Sequence, residues 1–119
     1  MGRNIGLITG AASGIGLKTV KRLLKKGWGI YGLDNDKNGL EQSSEEIDNS
    51  NYIAKPCDLR SEEALKKIFA EIQKNQQKIN ALIACAGVLK LGTLEDMSTE
   101  DFDAVFDINV RGLWLSARE

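Results

Sequence analysis

The stretch ITGAASGIG, residues 8–16, places three glycines directly after a short apolar run and directly before a helical pattern. Gly10, Gly14 and Gly16 would let the backbone approach a phosphate without a Cβ in the way. The first N–H groups of a helix have no partner within it and carry the positive end of its dipole, so a strand, a glycine turn and a helix in this order favour an anion site. The same glycines could serve only to turn the chain, so the interpretation depends on the motifs that follow.

Strands and helices are predicted in alternation along the whole chain. Apolar runs bounded by turn residues predict strands at 4–10, 27–34, 51–58 and 79–87. Helical spacing predicts helices at 15–26, at 38–47, from Ser61 onward and from near Ser98 to the end. The last two have apolar positions at Ala64, Leu65, Ile68, Phe69 and Ile72, and at Phe102, Val105, Phe106 and Leu113. Four such alternations predict an α/β fold, a parallel sheet with helices on both faces.

Capping residues mark the predicted helix ends. Two lysines followed by Gly27 are typical of a helix C-terminus, where glycine adopts the left-handed conformation. Ser61 precedes two glutamates and is expected to cap the third helix. Ser98 and Asp101 have the spacing of a capping box at the start of the last helix.

Composition limits the classes of function. The chain has 119 residues, enough for one domain, and its 16 basic and 17 acidic side chains give no electrostatic footprint for nucleic acid or an anionic membrane. No apolar run approaches the ~20 residues that span a bilayer, so we expect a cytoplasmic protein with a small-molecule ligand. Cys57 and Cys85 each end an apolar run, which predicts free thiols rather than a disulfide or a metal site. The sequence has no histidine, which excludes histidine-based acid–base catalysis.

The glycine spacing distinguishes between known phosphate-binding loops. A P-loop would need glycine where Ala12 and Leu17 stand, and the usual G-x-G-x-x-G dinucleotide spacing is absent. TGAASGIG instead resembles the loop Thr-Gly-x-x-x-Gly-x-Gly of the short-chain dehydrogenase/reductase family, which follows the first strand. The resemblance implies a Rossmann-type doubly wound parallel sheet. It also implies that the cofactor pyrophosphate is held by this loop, with the binding residues Gly10, Ser13, Gly14, Ile15 and Gly16.

Asp34 ends the second predicted strand, 18 residues after Gly16. A dinucleotide-binding fold places there the carboxylate that accepts hydrogen bonds from the adenosine ribose. Asp34 could also be a turn residue in DNDKNG. The carboxylate would repel a 2′-phosphate, and neither Ser13 nor Asn35 supplies a cation, so we expect NAD rather than NADP, with Lys37 as the one nearby argument for NADP.

Two further motifs follow in the family's order. Asp58 and Leu59 match the Asp-hydrophobic pair that flanks adenine in the family, although Asp58 could equally be a turn residue before a helix. ACAG, residues 84–87, stands where the family commonly has Asn-Asn-Ala-Gly. Ala86 and Gly87 are kept, so the resemblance implies backbone contacts to the cofactor from Ala84, Ala86 and Gly87, without the hydrogen bonds of the missing Asn side chains.

Asn109 lies four residues from both Val105 and Leu113, on the stripe expected to face the sheet. A buried amide without partners costs ~1–3 kcal/mol, so it should have a hydrogen-bond partner. The partner could be a neighbouring strand. The resemblance points to a catalytic role, because NVRG, residues 109–112, resembles the family motif whose Asn helps to hold a proton-relay water near the catalytic lysine.

The family's reaction chemistry is not contained in the chain. The resemblance implies hydride transfer between a nicotinamide and a small alcohol or carbonyl, with a Tyr-x-x-x-Lys pair and a serine C-terminal to the Asn helix. Tyr31 and Tyr52 are the only tyrosines, and Asn35 and Pro56 stand four residues after them. We therefore expect a single NAD-binding domain over 1–119, truncated after the fourth strand and the following helix and inactive alone. The alternative is a non-catalytic dinucleotide-binding or assembly module that is complete at this length.

The fourth predicted strand also bears on assembly. The apolar run ALIACA would form a sheet edge with no charge or proline to guard it. We expect such an edge to promote self-association, and a homo-oligomer is predicted.

Overall fold

The computed structural model describes residues 2–75 and 77–119, and every predicted strand and helix is present in it. The strands are β1 (Ile5–Thr9), β2 (Gly29–Asp34), β3 (Tyr52–Pro56) and β4 (Ala81–Ala84). The α-helices are α1 (Gly14–Lys25), α2 (Lys37–Ile47), α3 (Glu62–Lys74), α4 (Thr99–Phe106) and α5 (Leu113–Arg118). The boundaries differ from the predicted ones by a few residues, most at β4, which is shorter than the predicted 79–87.

The strands form one parallel sheet in the order β3-β2-β1-β4. β1 is central in this order, and its five residues are all buried. β4 lies at one end of the sheet and is only half-buried. This agrees with the prediction that the fourth strand forms an uncovered edge. The doubly wound α/β fold is therefore confirmed.

Two apolar clusters cover the two faces of the sheet. On one face α1 and α2 pack through Val20, Leu24 and Leu40 against Ile8 and Ile30. On the other face, α3 and α5 pack against Leu7 and Leu33. The buried residues that these two helices contribute are Leu65, Ile68, Ile72 and Leu115. None of the described helices is long and apolar enough to cross a membrane.

The predicted helix ends are observed. Gly27 has φ +85°, the left-handed conformation that glycine adopts without a Cβ penalty. Ser61 Oγ accepts a hydrogen bond from Ala64 N–H at 3.2 Å, and Ser98 Oγ accepts one from Asp101 N–H at 3.1 Å. The starts of α3 and α4 are therefore each stabilised by a local side-chain bond.

The last helical region differs from the prediction in its continuity and in its buried face. Instead of one continuous α-helix, α4 and α5 are joined by a π-helical segment, Asp107–Gly112. A π-helix has more residues per turn, so the face that points to the sheet changes after Asp107. Leu113, expected on the sheet-facing stripe, is exposed, whereas Leu115 and Ser116 are buried. Phe102 and Phe106, expected on the same stripe, are exposed as well, and α4 has no buried residue. Because both precede the π-helical segment, their exposure shows that α4 itself does not pack its apolar positions against the sheet.

Candidate functional site

A cleft of about 380 Å³ lies at the carboxyl ends of β1, β2 and β4. This is the edge of a parallel sheet at which ligands bind in open α/β folds. The cleft is lined by Gly10, Ser13, Gly14, Ile15, Gly16, Asp34, Asn35, Cys57, Leu59, Cys85, Ala86, Gly87, Val88 and Ile108. All five predicted pyrophosphate residues, together with Asp34, Leu59, Ala86 and Gly87, are thus brought together at one site.

The glycine loop closes tightly on itself. A Cβ added to Gly16 would lie 2.0 Å from the carbonyl oxygen of Gly10, closer than any two such atoms can approach. A Cβ added to Gly10 would lie 2.7 Å from the backbone nitrogen of Ala86, in the segment after β4. The two glycines therefore let the loop, the first turn of α1 and the end of β4 meet at one point.

The start of α1 leaves hydrogen-bond donors at the cleft. Ser13 precedes the helix with an extended backbone and makes no side-chain capping bond. The first N–H groups of an α-helix have no acceptor within that helix. Because Gly14, Ile15 and Gly16 line the cleft, their N–H groups and the positive end of the helix dipole are suited to an anion there.

The Asp34 carboxylate is held in place by the backbone on both oxygens. Its Oδ2 accepts a hydrogen bond from Ala12 N–H at 2.9 Å, and its Oδ1 accepts one from Asp36 N–H at 2.9 Å. The bond from Asp36, two residues further on, is typical of an aspartate in a turn. The Asp34 side chain nevertheless also lines the cleft. A carboxylate offers about four lone pairs, so both oxygens keep acceptor capacity for a ligand.

Asp58 and Ala84 do not line the cleft, unlike the other predicted cofactor residues. Asp58 accepts hydrogen bonds from the backbone and the guanidinium of Arg60, and the side-chain bonds lower the pKa of its carboxyl. This is the turn arrangement that the sequence left open. Ala84 is the exposed last residue of β4. Contacts of Asp58 and Ala84 with a cofactor stay predictions.

Asn109 lies in the π-helical segment, and both polar atoms of its side-chain amide form hydrogen bonds to the backbone of Val88. Its Oδ1 accepts a hydrogen bond from Val88 N–H at 2.8 Å, and its Nδ2 donates one to the Val88 carbonyl at 2.9 Å. Val88 follows β4 and lines the cleft, so the amide fixes the backbone of one cleft wall. The expected hydrogen-bond partner is thus present, while the catalytic role of Asn109 stays a prediction.

Replacing Asn109 by alanine should lower the free energy of unfolding by about 1–3 kcal/mol, because two hydrogen bonds of about 0.5–1.5 kcal/mol each are lost. Urea denaturation followed by tryptophan fluorescence measures this. The matched control is Asn38→Ala on the exposed surface of α2, which should change stability by at most a few tenths of a kcal/mol. Equal effects of the two substitutions would show that the Val88 contact contributes nothing.

Five cleft residues were not among the predicted site residues: Asn35, Cys57, Cys85, Val88 and Ile108. All five adjoin a residue of a recognised motif, so their position next to it was the available signal. Cys57 is buried, and this burial raises the pKa of its thiol to about 11, so it stays protonated at neutral pH. Ile108 directly precedes Asn109, but the sequence did not show that it faces the cleft, because the π-helical segment decides which side of the last helix meets it.

A larger cavity of about 470 Å³ lies between α3, β4 and α5. Its walls are mainly aliphatic and amide side chains, with Lys66 and Glu119 at the charged positions. It contains no glycine loop and no helix N-terminus. Of these two cavities the smaller cleft is therefore the stronger candidate, because it combines N–H donors with an anchored carboxylate.

Comparison with known proteins agrees with this geometry. The family model for short chain dehydrogenases matches residues 4–119. The chain is 34% identical over 116 residues to 2,3-dihydro-2,3-dihydroxybenzoate dehydrogenase of Bacillus subtilis, a match that covers 96% of this chain and 44% of that protein. It is 33% identical to NAD-dependent glycerol dehydrogenase of Listeria innocua, again over 96% of this chain and 44% of that protein. The chain thus spans less than half the length of these relatives.

Solved structures show the same fold. The structure of 3-ketoacyl-(acyl-carrier-protein) reductase from Brucella melitensis, complexed with NADH, is 33% identical with a TM-score of 0.87 and covers 97% of this chain and 47% of that one. Actinorhodin polyketide ketoreductase with NADPH is 24% identical, with a TM-score of 0.91 over 98% of this chain and 45% of that one. The second likeness concerns the fold alone.

Proposed function

The chain belongs to the short-chain dehydrogenase family, and from this membership we propose that its cleft binds NAD as part of an oxidoreductase acting on a small alcohol or carbonyl substrate. The observation that carries the proposal is the anchored Asp34 carboxylate, which shares one cleft with the glycine loop and the start of α1. When bound, the nicotinamide would accept or donate the hydride. The residues of this chain would bind and orient the dinucleotide.

The cleft fits the parts of a dinucleotide in order. The N–H groups of Gly14, Ile15 and Gly16 suit the pyrophosphate, with Gly10 and Ser13 completing that loop, because no side chain intervenes at the glycines. Asp34 suits the hydroxyls of the adenosine ribose. Leu59 supplies an apolar wall for adenine beside Asp58, and Ala86 and Gly87 offer backbone next to the nicotinamide half.

The charge at Asp34 favours NAD over NADP. A 2′-phosphate on the ribose would meet a carboxylate that two backbone N–H groups hold in place, so the carboxylate would not turn away without losing both bonds. Lys37 is exposed at the start of α2 and does not line the cleft. The repulsion by Asp34 is therefore the stronger influence on cofactor choice.

Titration of the 119-residue chain with ADP-ribose, NAD and NADP tests the proposed function. Calorimetry should give saturable binding of ADP-ribose and NAD, with NADP weaker than NAD. ADP-ribose is the sharpest probe, because Asp34 and the glycine loop would hold the adenosine half. Absence of saturable binding, or tighter binding of NADP than of NAD, would overturn the proposal.

The last helical region supports self-association, and we propose a homo-oligomer built through it. Five large apolar residues of α4, the π-helical segment and α5 are 46% to 55% exposed: Phe102, Phe106, Val110, Leu113 and Trp114. The rings of Phe102 and Phe106 stack with their centroids 4.4 Å apart. Several large apolar side chains exposed within one helical region are typical of a protein–protein interface.

Replacing Phe106 by aspartate should shift the chain toward a monomer, because a charge would then have to be buried at the proposed interface. Light scattering over a range of concentrations measures the change in mass. Leu94→Asp is the matched control, because Leu94 is a 97% exposed loop residue outside the helical region and the same charge is added. A wild-type chain that is monomeric at all concentrations would contradict the proposal.

A further inference from the structure

The hydroxyl of Tyr52 is buried without a hydrogen-bond partner in the part of the chain that the structure describes. The residue is 8% exposed, and its Oη is the one buried side-chain nitrogen or oxygen there that has no partner. Leaving a buried hydroxyl unpaired destabilises a protein, and a phenylalanine would fill the same space without that cost. The hydroxyl therefore needs an explanation beyond core packing.

The Tyr52 ring reaches the glycine loop across β2. Tyr52 pairs in register with Ile30, and its side chain extends diagonally over Gly32, the next residue on that face. A Cβ added to Gly32 would lie 2.4 Å from the Tyr52 hydroxyl oxygen and 2.9 Å from the Cβ of Ala11. The hydroxyl, the bare backbone of Gly32 and the loop residue Ala11 thus meet at one point.

The same point adjoins the carboxylate proposed to bind ribose. Side chains alternate along a strand, so Gly32 and Asp34 face the same side of β2. Ala12, the neighbour of Ala11, donates its N–H to Asp34 Oδ2. Burial and the negative charge of Asp34 raise the pKa of Tyr52 to about 12, so the hydroxyl keeps its proton at neutral pH and can donate it to a hydrogen bond.

We infer that Tyr52 is a positioning residue for the adenosine-ribose end of the cleft. Its ring supports Ala11 and, through it, the Ala12 N–H that anchors Asp34. When the ribose is bound, the Tyr52 hydroxyl donates a hydrogen bond through one water molecule to a free lone pair of the Asp34 carboxylate, which keeps both of its backbone bonds. This inference rests on the proposed function, because it assigns a support to the same site.

A double-mutant cycle between Tyr52→Phe and Asp34→Asn tests the inference, with calorimetric affinity for ADP-ribose as the readout. Tyr52→Phe should weaken ADP-ribose binding by about 3- to 10-fold, the value of one lost hydrogen bond. In the Asp34→Asn background the same substitution should change the affinity by less than about 2-fold, because the acceptor charge is gone. Tyr52→Phe should unfold at no lower urea concentration than the wild type, since no partner of the hydroxyl is lost in the free protein.

Two results would overturn the inference while leaving the proposed function intact. One is a Tyr52→Phe variant that binds ADP-ribose as tightly as the wild type. The other is an equal loss of affinity in the presence and absence of the Asp34 charge, which would indicate a structural effect only. A wild-type chain that does not bind ADP-ribose would instead overturn the proposed function, and the inference with it.

Discussion

Gly16→Ala should abolish measurable ADP-ribose binding and lower the free energy of unfolding by about 3 kcal/mol, the upper end of the cost of overpacking. The new Cβ would lie 2.0 Å from the Gly10 carbonyl oxygen and 2.7 Å from its carbonyl carbon. Both are backbone atoms, so no side chain can move aside, and the loop must open. Calorimetric titration and urea denaturation of the same samples measure the two effects.

Gly14→Ala provides the matched control for the loop. Gly14 has φ +56° and no neighbouring atom within 4 Å of an added Cβ, so its substitution meets backbone strain without a collision. The expected loss of stability is about 1–2 kcal/mol, the cost of a left-handed conformation for alanine. If the two variants were equally destabilised, the close approach between Gly10 and Gly16 would not be what holds the loop.

Asp34→Asn should weaken NAD binding by about 10-fold or more and reduce the preference for NAD over NADP. A hydrogen bond to a charged group contributes about 1.5–3 kcal/mol, more than a neutral one. Removing the charge also removes the repulsion of a 2′-phosphate, so NADP should lose less affinity than NAD. Parallel titrations with the two dinucleotides measure the ratio directly.

Asp36→Asn is the matched control for this charge. It removes one negative charge two residues away, at a side chain that does not line the cleft. Asp36 Oδ1 caps α2 by accepting from Gly39 N–H at 3.1 Å, and asparagine caps a helix equally well. The NAD affinity of this variant should change by less than about 2-fold. If the ratio of NAD to NADP affinity were unchanged in Asp34→Asn, the assignment of Asp34 to the ribose would be wrong.

Most of the fold could be predicted because its determinants are local. Apolar periodicity located the strands and helices, and Ser61, Ser98 and Gly27 marked helix ends through bonds or conformations that involve only nearby residues. The strand over 79–87 was predicted too long, because an apolar run does not show how much of it has a pairing partner. In the structure only Ala81–Ala84 form β4, which pairs with β1 on one side.

The candidate site was predictable where its residues belong to motifs with fixed spacing. The glycine loop and Asp34 needed only the order of β1, α1 and β2 to be placed together. Asp58 shows the limit, because its carboxylate is bound to Arg60, two residues away, and the sequence allowed either arrangement. The side of the last helix that meets the cleft was missed, since nothing in NVRG predicts a π-helical segment.

The amino-acid sequence by itself determined the alternation of strands and helices, the helix caps and the glycine spacing, because each depends on residues within one or two turns of each other. The tertiary structure decided the contacts between distant residues: Asn109 with Val88, Gly10 with Ala86, and Tyr52 with Gly32. These contacts depend on the order and register of the strands, which bring separate parts of the chain within a few ångströms. Local pattern therefore defines the elements that form the candidate cleft, and strand pairing defines its walls.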